Sequence, residues 1–272
     1  MEISAGQRAE FLEMLWSHYA LSGRGDLPWR QAGQDGSFNP YRIMVSELML
    51  QQTQVPRVIP KYQAFLERFP TVESLAAAEL GDVLRAWQGL GYNRRAKFLW
   101  QAAQAVHELG AFPTTAAELV KLPGIGAGTA GAILAYAFNQ PVAYIETNVR
   151  TVYIHHFFAD QESVHDKEIL QLVEQTVDPE NPREFYWALM DYGSYVKATV
   201  GNLNKASKHY AKQSKFHGSK RQVRGQVLRA VGDGGLPLEA LQVAVPDERL
   251  PAVLADLLGE GMIRLQRGTY LL

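Results

Sequence analysis

Apolar residues recur at the three-to-four-residue spacing of helices through residues 5–196, and few stretches there alternate as strands do. The pair Asn39-Pro40 predicts the N-cap and first residue of a helix that runs to about Val55. Breaks rich in proline and glycine at 69–71, 89–91, 112–114 and 122–124 divide the rest into helices of ordinary length. We therefore predict an all-α fold for this part of the chain.

After Gly218 the pattern changes, and helices are predicted at 222–231, near 237–242 and from about 247 to 258. Alternation on both sides of Arg267-Gly268 predicts a terminal hairpin. Three helices and a hairpin indicate a small winged-helix-like module at 218–272, following a domain at 1–217. Such modules bind DNA or serve only as packing and protein contacts. The net charge of −2 over 225–272 favours the second role.

The chain has 272 residues, of which 47% are hydrophobic and 20% charged, as in ordinary globular proteins. It has no apolar run of about 18 residues and no basic leader, so we expect no membrane association and a cytoplasmic location, on nucleoid-associated DNA if the source is bacterial. It contains no cysteine, which excludes disulfides, thiolate nucleophiles and cysteine-ligated zinc or iron–sulfur sites. We expect no cofactor, no metal and a monomer.

Charge is concentrated in one segment, although the formal net charge is only −1. Residues 197–224 carry eight Lys or Arg and no Asp or Glu. This basic strip is interpreted either as a phosphate-binding surface or as a solvated linker. Its candidate DNA contacts within 197–217 are Lys205, Lys208, Lys212 and Lys215.

A glycine-rich motif occupies residues 122–138, between two predicted helices. Glycines permit a tight hairpin, and the backbone amides at the start of the following helix, near Ala127, would point at a DNA phosphate. The alternative is a plain interhelical turn. The candidate contacts are Leu122, Gly124, Ile125, Gly126, Gly128 and Thr129.

Glu47 lies within a largely apolar helix predicted over residues 40–55. Gln51 and Gln54 follow it at i+4 and i+7, which predicts a polar stripe on a buried helix. Partial burial would raise the pKa of the Glu47 carboxyl and let it act as a general acid. The alternative is a structural glutamate that caps a helix or pairs with an arginine.

Glu146 is a second isolated acid, in the segment 143–158. A second carboxylate could stabilise the cationic sugar that forms when a glycosidic bond breaks, and Asn148 could orient it by a hydrogen bond. The alternative is again a helix cap or an arginine partner. His155 and His156 are adjacent, so on a helix they face different directions and predict no metal site.

Three segments together resemble the helix-hairpin-helix DNA glycosylases, in particular the branch specific for adenine in A/G mismatches. They are SELMLQQTQV, WQGLGYNRRA and LPGIGAGTAGAIL, in the same order and spacing, and the resemblance covers roughly residues 25–196. It implies that Glu47 protonates the leaving adenine and that Gln51 or Gln52 enters the base stack. It also implies that residues 93 and 94 face DNA.

Four departures from that family change the expectations. Glu146 replaces the catalytic aspartate, and Asn93 replaces a tyrosine that wedges beside 8-oxoguanine. Gly128 stands where bifunctional members carry a Schiff-base lysine, so no β-lyase activity is expected. The basic strip follows a segment like 189–196, where members commonly place four cysteines.

These observations predict a monofunctional glycosylase of base excision repair that acts on double-stranded DNA with a mismatched or damaged base. Adenine is the favoured base. One alternative is a glycosylase of the same fold for uracil, thymine, hypoxanthine or another lesion, and another is a non-catalytic DNA-damage-binding protein. Glu47 and the carboxylate at 146 argue against the second alternative.

Overall fold

The computed structural model describes residues 2–210, 212, 215–232 and 234–272. The chain forms two compact units. Unit 1 comprises residues 1–43, 114–121 and 125–212, and unit 2 comprises residues 44–113, 122–124 and 213–272. None of the described helices is both long and apolar enough to cross a bilayer.

Unit 1 is helical, and the residues of α2 up to Ile43 belong to it. Its helices are α1 (Ala5–Ser22), the start of α2 (Pro40–Leu50), α7 (Ala116–Leu119), α8 (Ala127–Phe138), α9 (Thr147–Phe157), α10 (Asp166–Thr176) and α11 (Pro182–Thr199). Helix α9 packs against α11, and the core between the helices is made of fully buried side chains. Among them are Leu15, Val152, Tyr153, Phe185 and Leu189.

Unit 2 combines the helices of residues 44–113 with the C-terminal module. Its first helices are the rest of α2, α3 (Val55–Arg68), α4 (Val72–Ala76), α5 (Leu80–Trp87) and α6 (Arg94–Leu109). Helix α4 starts at a local sequence signal, because the Thr71 side chain caps it by accepting from the amide of Ser74. Val58, Phe65, Trp87 and Leu99 are fully buried in the core of this unit.

The C-terminal module, residues 218–272, has the predicted winged-helix-like arrangement. Its elements are α12 (Lys220–Ala230), β1 (Leu236–Pro237), α13 (Leu238–Ala244), α14 (Leu250–Gly259), β2 (Arg264–Gln266) and β3 (Thr269–Leu271). The strands form an antiparallel sheet in the order β1-β3-β2, with Leu265 opposite Tyr270. Arg267 and Gly268 both have positive φ and form the predicted hairpin turn. The boundary at 217/218 stays a prediction.

Candidate functional site

Glu47 is half-buried in the last turn of α2, between the buried Ser46 and Leu48. The helix begins as predicted, because the Asn39 side chain accepts from the amide of Tyr41 at 2.9 Å. Its predicted end near Val55 is wrong. Helix α2 ends at Leu50, and a turn follows in which Gln52 has a φ of 55°.

The predicted polar stripe of Glu47, Gln51 and Gln54 is therefore also wrong. Gln51 and Gln54 lie beyond the helix, and Gln54 is the N-cap residue of α3. Gln51 is half-buried, whereas Gln52 is exposed. Insertion of Gln51 or Gln52 into a base stack stays a prediction.

Arg95, which belongs to none of the predicted site residues, binds the end of α2. Its Nη1 donates to the carbonyl oxygens of Leu48, Met49 and Gln51 at 2.6, 2.9 and 2.6 Å. The guanidinium thus binds backbone carbonyls that a helix leaves without partners at its end. The only signal in the sequence was a second arginine beside Arg94 in the GLGYNRRA segment.

The other terminal nitrogen of Arg95 binds a second turn. Nη2 donates to the carbonyls of Leu90 and Gly91 at 3.3 and 3.0 Å and to the Thr53 hydroxyl at 3.1 Å. The guanidinium also lies 5.3 Å from the centre of the Trp87 ring. Burial lowers the pKa of Arg95 to about 10, still well above neutrality. One buried cation therefore joins the turn after Glu47 to the turn before α6.

Asn93 and Arg94, the predicted DNA contacts at this second turn, mark the start of α6. Asn93 is the N-cap residue, but its side chain makes no capping hydrogen bond. Arg94 is 65% exposed and forms an ion pair with Glu260 of the C-terminal module at 2.6 Å. Their roles toward DNA stay predictions.

The predicted hairpin joins α7 to α8, and α8 begins at Ala127 as expected. Leu122 and Ile125 are buried, so their side chains anchor the turn, whereas Gly124 and Gly126 are exposed. Gly124 has a φ of 76°, and an added Cβ would lie 2.5 Å from the Cβ of Phe98. The turn therefore requires glycine at this position.

The start of α8 presents backbone amides without a side-chain cap. Gly126 is the N-cap residue and cannot supply a side-chain acceptor, and Gly128 and Thr129 follow in the first turn. An added Cβ at Gly128 would lie 3.2 Å from the carbonyl oxygen of Ile145. This geometry suits an anion at the helix N-terminus.

Glu146 is the N-cap residue of α9, the alternative that the sequence had left open. Its Oε1 accepts from the amides of Asn148 and Val149 at 2.5 and 2.9 Å. The hydrogen bond from Asn148 is thus a backbone one, and the Asn148 side chain contacts Met190 instead. Burial raises the pKa of the Glu146 carboxyl above its ordinary value, against the opposite effects of the two amides and of Arg150.

Helix α11 holds the start of α9 in place. An added Cβ at Gly193 would lie 2.6 Å from the Cβ of Asn148, so only glycine permits this approach. Asp191, on the same helix, is buried and binds Arg30 through two hydrogen bonds of 2.7 and 2.9 Å, and Arg24 as well. Burial opposes its ionisation, but the two arginines outweigh that effect and keep the pKa of Asp191 below its usual range.

The described lysines and arginines of the basic strip differ in their contacts. Lys220, Arg221 and Arg224 belong to α12 and are engaged with Asp256, Tyr92 and Glu260, respectively. The four lysines predicted to contact DNA are all exposed, and none appears in an ion pair among the described residues. Lys208 contacts His165 at 2.6 Å.

A cysteine-ligated cluster does not fit the segment after α11. The chain has no thiolate donor. Hydrogen bonds hold the segment instead: Asn204 is buried and donates to the Thr151 hydroxyl at 2.7 Å, and Lys208 donates its amide to the carbonyl of Val164 at 3.0 Å. His156 contacts the Tyr192 hydroxyl, and the described residues contain no group of three or more His, Asp or Glu suited to a metal ion.

The candidate residues thus form two groups. In unit 2, Glu47 precedes the first turn that Arg95 binds, Gln51 lies in that turn, and Asn93 and Arg94 follow the second turn. In unit 1, Gly126 is the N-cap residue of α8 and Gly128 lies in its first turn, and Glu146 is the N-cap residue of α9.

Comparisons with known proteins identify the family to which this chain is similar. The sequence profile of the HhH-GPD superfamily base excision DNA repair proteins matches residues 45–179. An adenine DNA glycosylase of Buchnera aphidicola subsp. Baizongia pistaciae (strain Bp) is 34% identical over 218 residues, 76% of this chain. An adenine DNA glycosylase of Mycolicibacterium smegmatis (strain ATCC 700084 / mc(2)155) is 34% identical over 263 residues, 88% of this chain.

The share of each relative that is covered differs. The chain spans 60% of the Buchnera protein and 88% of the Mycolicibacterium protein.

Among solved structures, that of a thermostable thymine-DNA glycosylase aligns with a TM-score of 0.62 at 22% identity, over 73% of this chain and 91% of that one. The predicted helix-hairpin-helix fold is confirmed.

Proposed function

Because this chain belongs to the HhH-GPD superfamily of base excision DNA repair proteins, together with its adenine DNA glycosylase relatives, we propose that it is a monofunctional DNA glycosylase. Its substrate is duplex DNA with a mismatched or damaged base, which is flipped out of the stack before the N-glycosidic bond is hydrolysed. The names of the relatives favour adenine as that base.

The observation that carries this proposal is the binding of two turns by Arg95. One turn follows Glu47 and the other precedes Asn93, and these are the segments in which the resemblance places the general acid and the base-contacting residues. The guanidinium fixes both from inside unit 2, with hydrogen bonds to Gln51 and Gly91. A site that flips a base needs such rigid support, because small displacements of catalytic groups cost rate.

Glu47 and Glu146 have different roles in the proposed reaction. Glu47 donates a proton to the base, which leaves with the electron pair of the glycosidic bond. Glu146 stabilises the oxocarbenium ion at the sugar, and water then adds to C1′ and loses one proton to the solvent. The amides of Asn148 and Val149 fix the Glu146 carboxylate at the start of α9, and Asn148 is thereby a positioning residue.

Gly128 supports hydrolysis without strand cleavage. A lyase step through a Schiff base needs an amine nucleophile, and glycine supplies none. We therefore propose that the product is an intact strand with an abasic site.

The test is single-turnover incubation with duplexes that carry different mismatches and lesions, analysed with and without alkaline treatment. Release of adenine from a mismatch, with strand breaks only after alkali, is the expected result. Release of uracil, thymine or hypoxanthine instead would assign the enzyme to another base, and strand breaks without alkali would contradict the monofunctional proposal.

Glu47→Gln keeps the shape of the side chain and removes the proton donor. It is expected to lower the excision rate by about 10²–10⁴-fold while DNA binding persists. No excision of any base by the wild-type protein, combined with tight binding to damaged duplexes, would favour the non-catalytic binder.

A further inference from the structure

Arg150 lies on α9, four residues after Glu146, the N-cap residue of that helix. Residues three or four apart on a helix are neighbours. The positive charge of Arg150 accordingly acts on the Glu146 carboxyl and lowers its pKa, against the larger effect of burial. An unbalanced cation at this place would cancel part of the negative charge that the proposed reaction needs at the sugar.

Asp166, the first residue of α10, binds this cation. Its carboxylate accepts from Nε and Nη2 of Arg150 at 2.8 and 2.7 Å. Two parallel hydrogen bonds between a guanidinium and a carboxylate fix both the distance and the orientation of the two groups. The hydrogen bond from Arg150 also lowers the pKa of Asp166, so this carboxylate is charged at neutral pH. The side chains are only 18% and 28% exposed, so water screens the pair in part.

The two carboxylates and the one cation leave a single negative charge at the start of α9. Among the described residues, the ion pair of Arg150 is formed with Asp166, and Glu146 takes part in none. Each carboxylate lies at the N-terminus of a helix, where the helix dipole favours a negative charge. Glu168, also in the first turn of α10, accepts from the amide of His165 instead.

Other charged groups near α9 are balanced or exposed. Helix α11 contributes Asp191, which is bound by two arginines. Lys205, in the short turn that follows α11, is exposed to solvent, which screens its charge. His209 lies close enough to the pair to act on it. The cation that acts on Glu146 is therefore Arg150.

We propose that Arg150 and Asp166 form a charge-balancing pair for the reaction: Asp166 neutralises Arg150, so that the sugar cation meets the full negative charge of Glu146. Both are positioning residues, because they act through Glu146. The proposal rests on the proposed function, in which Glu146 stabilises the oxocarbenium ion.

The first measurement is the titration of Glu146 in the free protein, which does not depend on catalysis. NMR of protein with ¹³C-labelled glutamate carboxyl groups follows it, and Glu146→Gln assigns the signal. Asp166→Asn leaves Arg150 unbalanced and should move the titration midpoint to lower pH by about 0.5–1 pH unit. Arg150→Met removes the cation and should move the midpoint to higher pH. The double variant should lie between the two.

The second measurement is the single-turnover excision rate at about pH 8, where Glu146 is ionised. Asp166→Asn is expected to lower this rate about tenfold, because an unbalanced cation opposes the positive charge that develops at the sugar. Adding Arg150→Met to this variant should restore most of the rate, since the unbalanced charge is removed. A merely structural role of the pair predicts the opposite, a further loss in the double variant.

Asp247→Asn is the matched control. Asp247 binds Arg249 in the C-terminal module through the same two-pronged contact, at 2.8 and 2.6 Å. This variant should change neither the titration of Glu146 nor the excision rate. His209→Gln separates the titration of that histidine from that of Glu146, and thermal unfolding of each variant shows whether the fold persists.

Movement of the midpoint in the same direction in both single variants would overturn the proposal, as would a double variant that is slower than Asp166→Asn. If Asp166→Asn does not fold, Arg150→Met alone must move the midpoint of Glu146 to higher pH.

The two proposals fail in different ways. Absence of excision, combined with opposite movements of the midpoint in the two single variants, would overturn the glycosylase function alone. Excision with a midpoint that neither variant moves would overturn only the role of the pair.

Discussion

The Nη1 atom of Arg95 lies 2.6 Å from the carbonyl oxygen of Gln51, so a buried cation closes the turn that follows the proposed general acid. The same guanidinium reaches Gly91 in the turn before Asn93. Both turns are thereby held by one planar group with donors on two sides, a geometry that lysine does not have.

Arg95→Lys is therefore expected to be damaging although it keeps the charge. We expect the single-turnover excision rate to fall by about 10²-fold, because a displacement of about 1 Å of the catalytic groups lowers the rate by that factor. Arg68→Lys, in an exposed ion pair with Asp82, is the matched control and should leave the rate unchanged. A wild-type rate for Arg95→Lys would show that the two turns need no common support.

Asp191 and Arg30 form a buried ion pair in unit 1, with side chains 2% and 3% exposed. Asp191→Asn leaves the Arg30 charge buried without its partner and should lower the free energy of unfolding by about 3–5 kcal/mol. Urea denaturation measures this change. The control is Asp82→Asn, in an exposed ion pair, which should lower the free energy of unfolding by only about 0–1 kcal/mol.

The contribution of Asp191 depends on pH in a defined direction. Its pKa is lower in the folded than in the unfolded chain, so its stabilising effect is complete above the unfolded value, about 4. The effect is lost as pH falls from there through the folded pKa. The difference between wild type and Asp191→Asn should therefore shrink below about pH 4. A difference that grows on acidification would contradict this assignment.

The sequence predicted the elements whose signals are local. Asn39 caps α2, Ala127 begins α8, and Arg267-Gly268 turns the terminal hairpin, because caps and turns depend on a few adjacent residues. The end of α2 was not predicted, because it is set by Arg95, 45 residues further along the chain. The short strand β1 (Leu236–Pro237) was also missed, since it exists only by pairing with β3.

In the candidate site too, local signals were predicted and distant contacts were not. The sequence motifs predicted Glu47, Glu146 and the glycines of the hairpin as site residues. The residues that hold them, such as Arg95 and Gly193, act through contacts distant in sequence. The approach of Gly193 to Asn148 cannot be seen in the sequence, because it depends on how α9 packs against α11.

DNA affinity should depend on the exposed lysines of the basic strip. Replacing Lys205, Lys208, Lys212 and Lys215 together by Gln is expected to weaken binding to all sequences. The slope of log K against log salt should flatten by up to about 0.9 for each lysine that contacts a phosphate. The matched control compares two single variants, Lys205→Gln in the strip and Lys167→Gln at an exposed position of α10. Unchanged affinity and slope would contradict this prediction and favour the alternative that the strip is a solvated linker.

Activity should be independent of metal. The chain has no cysteine, and Asn204 and the backbone of Val164 hold the segment in which the resemblance places four cysteines. Protein dialysed against a chelator is expected to be colourless, with an unchanged excision rate and unfolding midpoint. Stoichiometric iron or zinc in the active protein would contradict this expectation.

Glu146 provides the decisive test of the proposed mechanism. Glu146→Gln removes the negative charge near the sugar cation and should lower the excision rate at least about 10²-fold. Glu146→Asp should stay within about tenfold of wild type, because aspartate is a strong N-cap residue and keeps the charge at the start of α9. Since burial raises the pKa of Glu146, the acid limb of the wild-type rate profile should lie above pH ~4.3, the ordinary glutamate value. Single-turnover rates from pH 4 to 8 measure both effects, and a wild-type rate for Glu146→Gln would remove this carboxylate from the reaction.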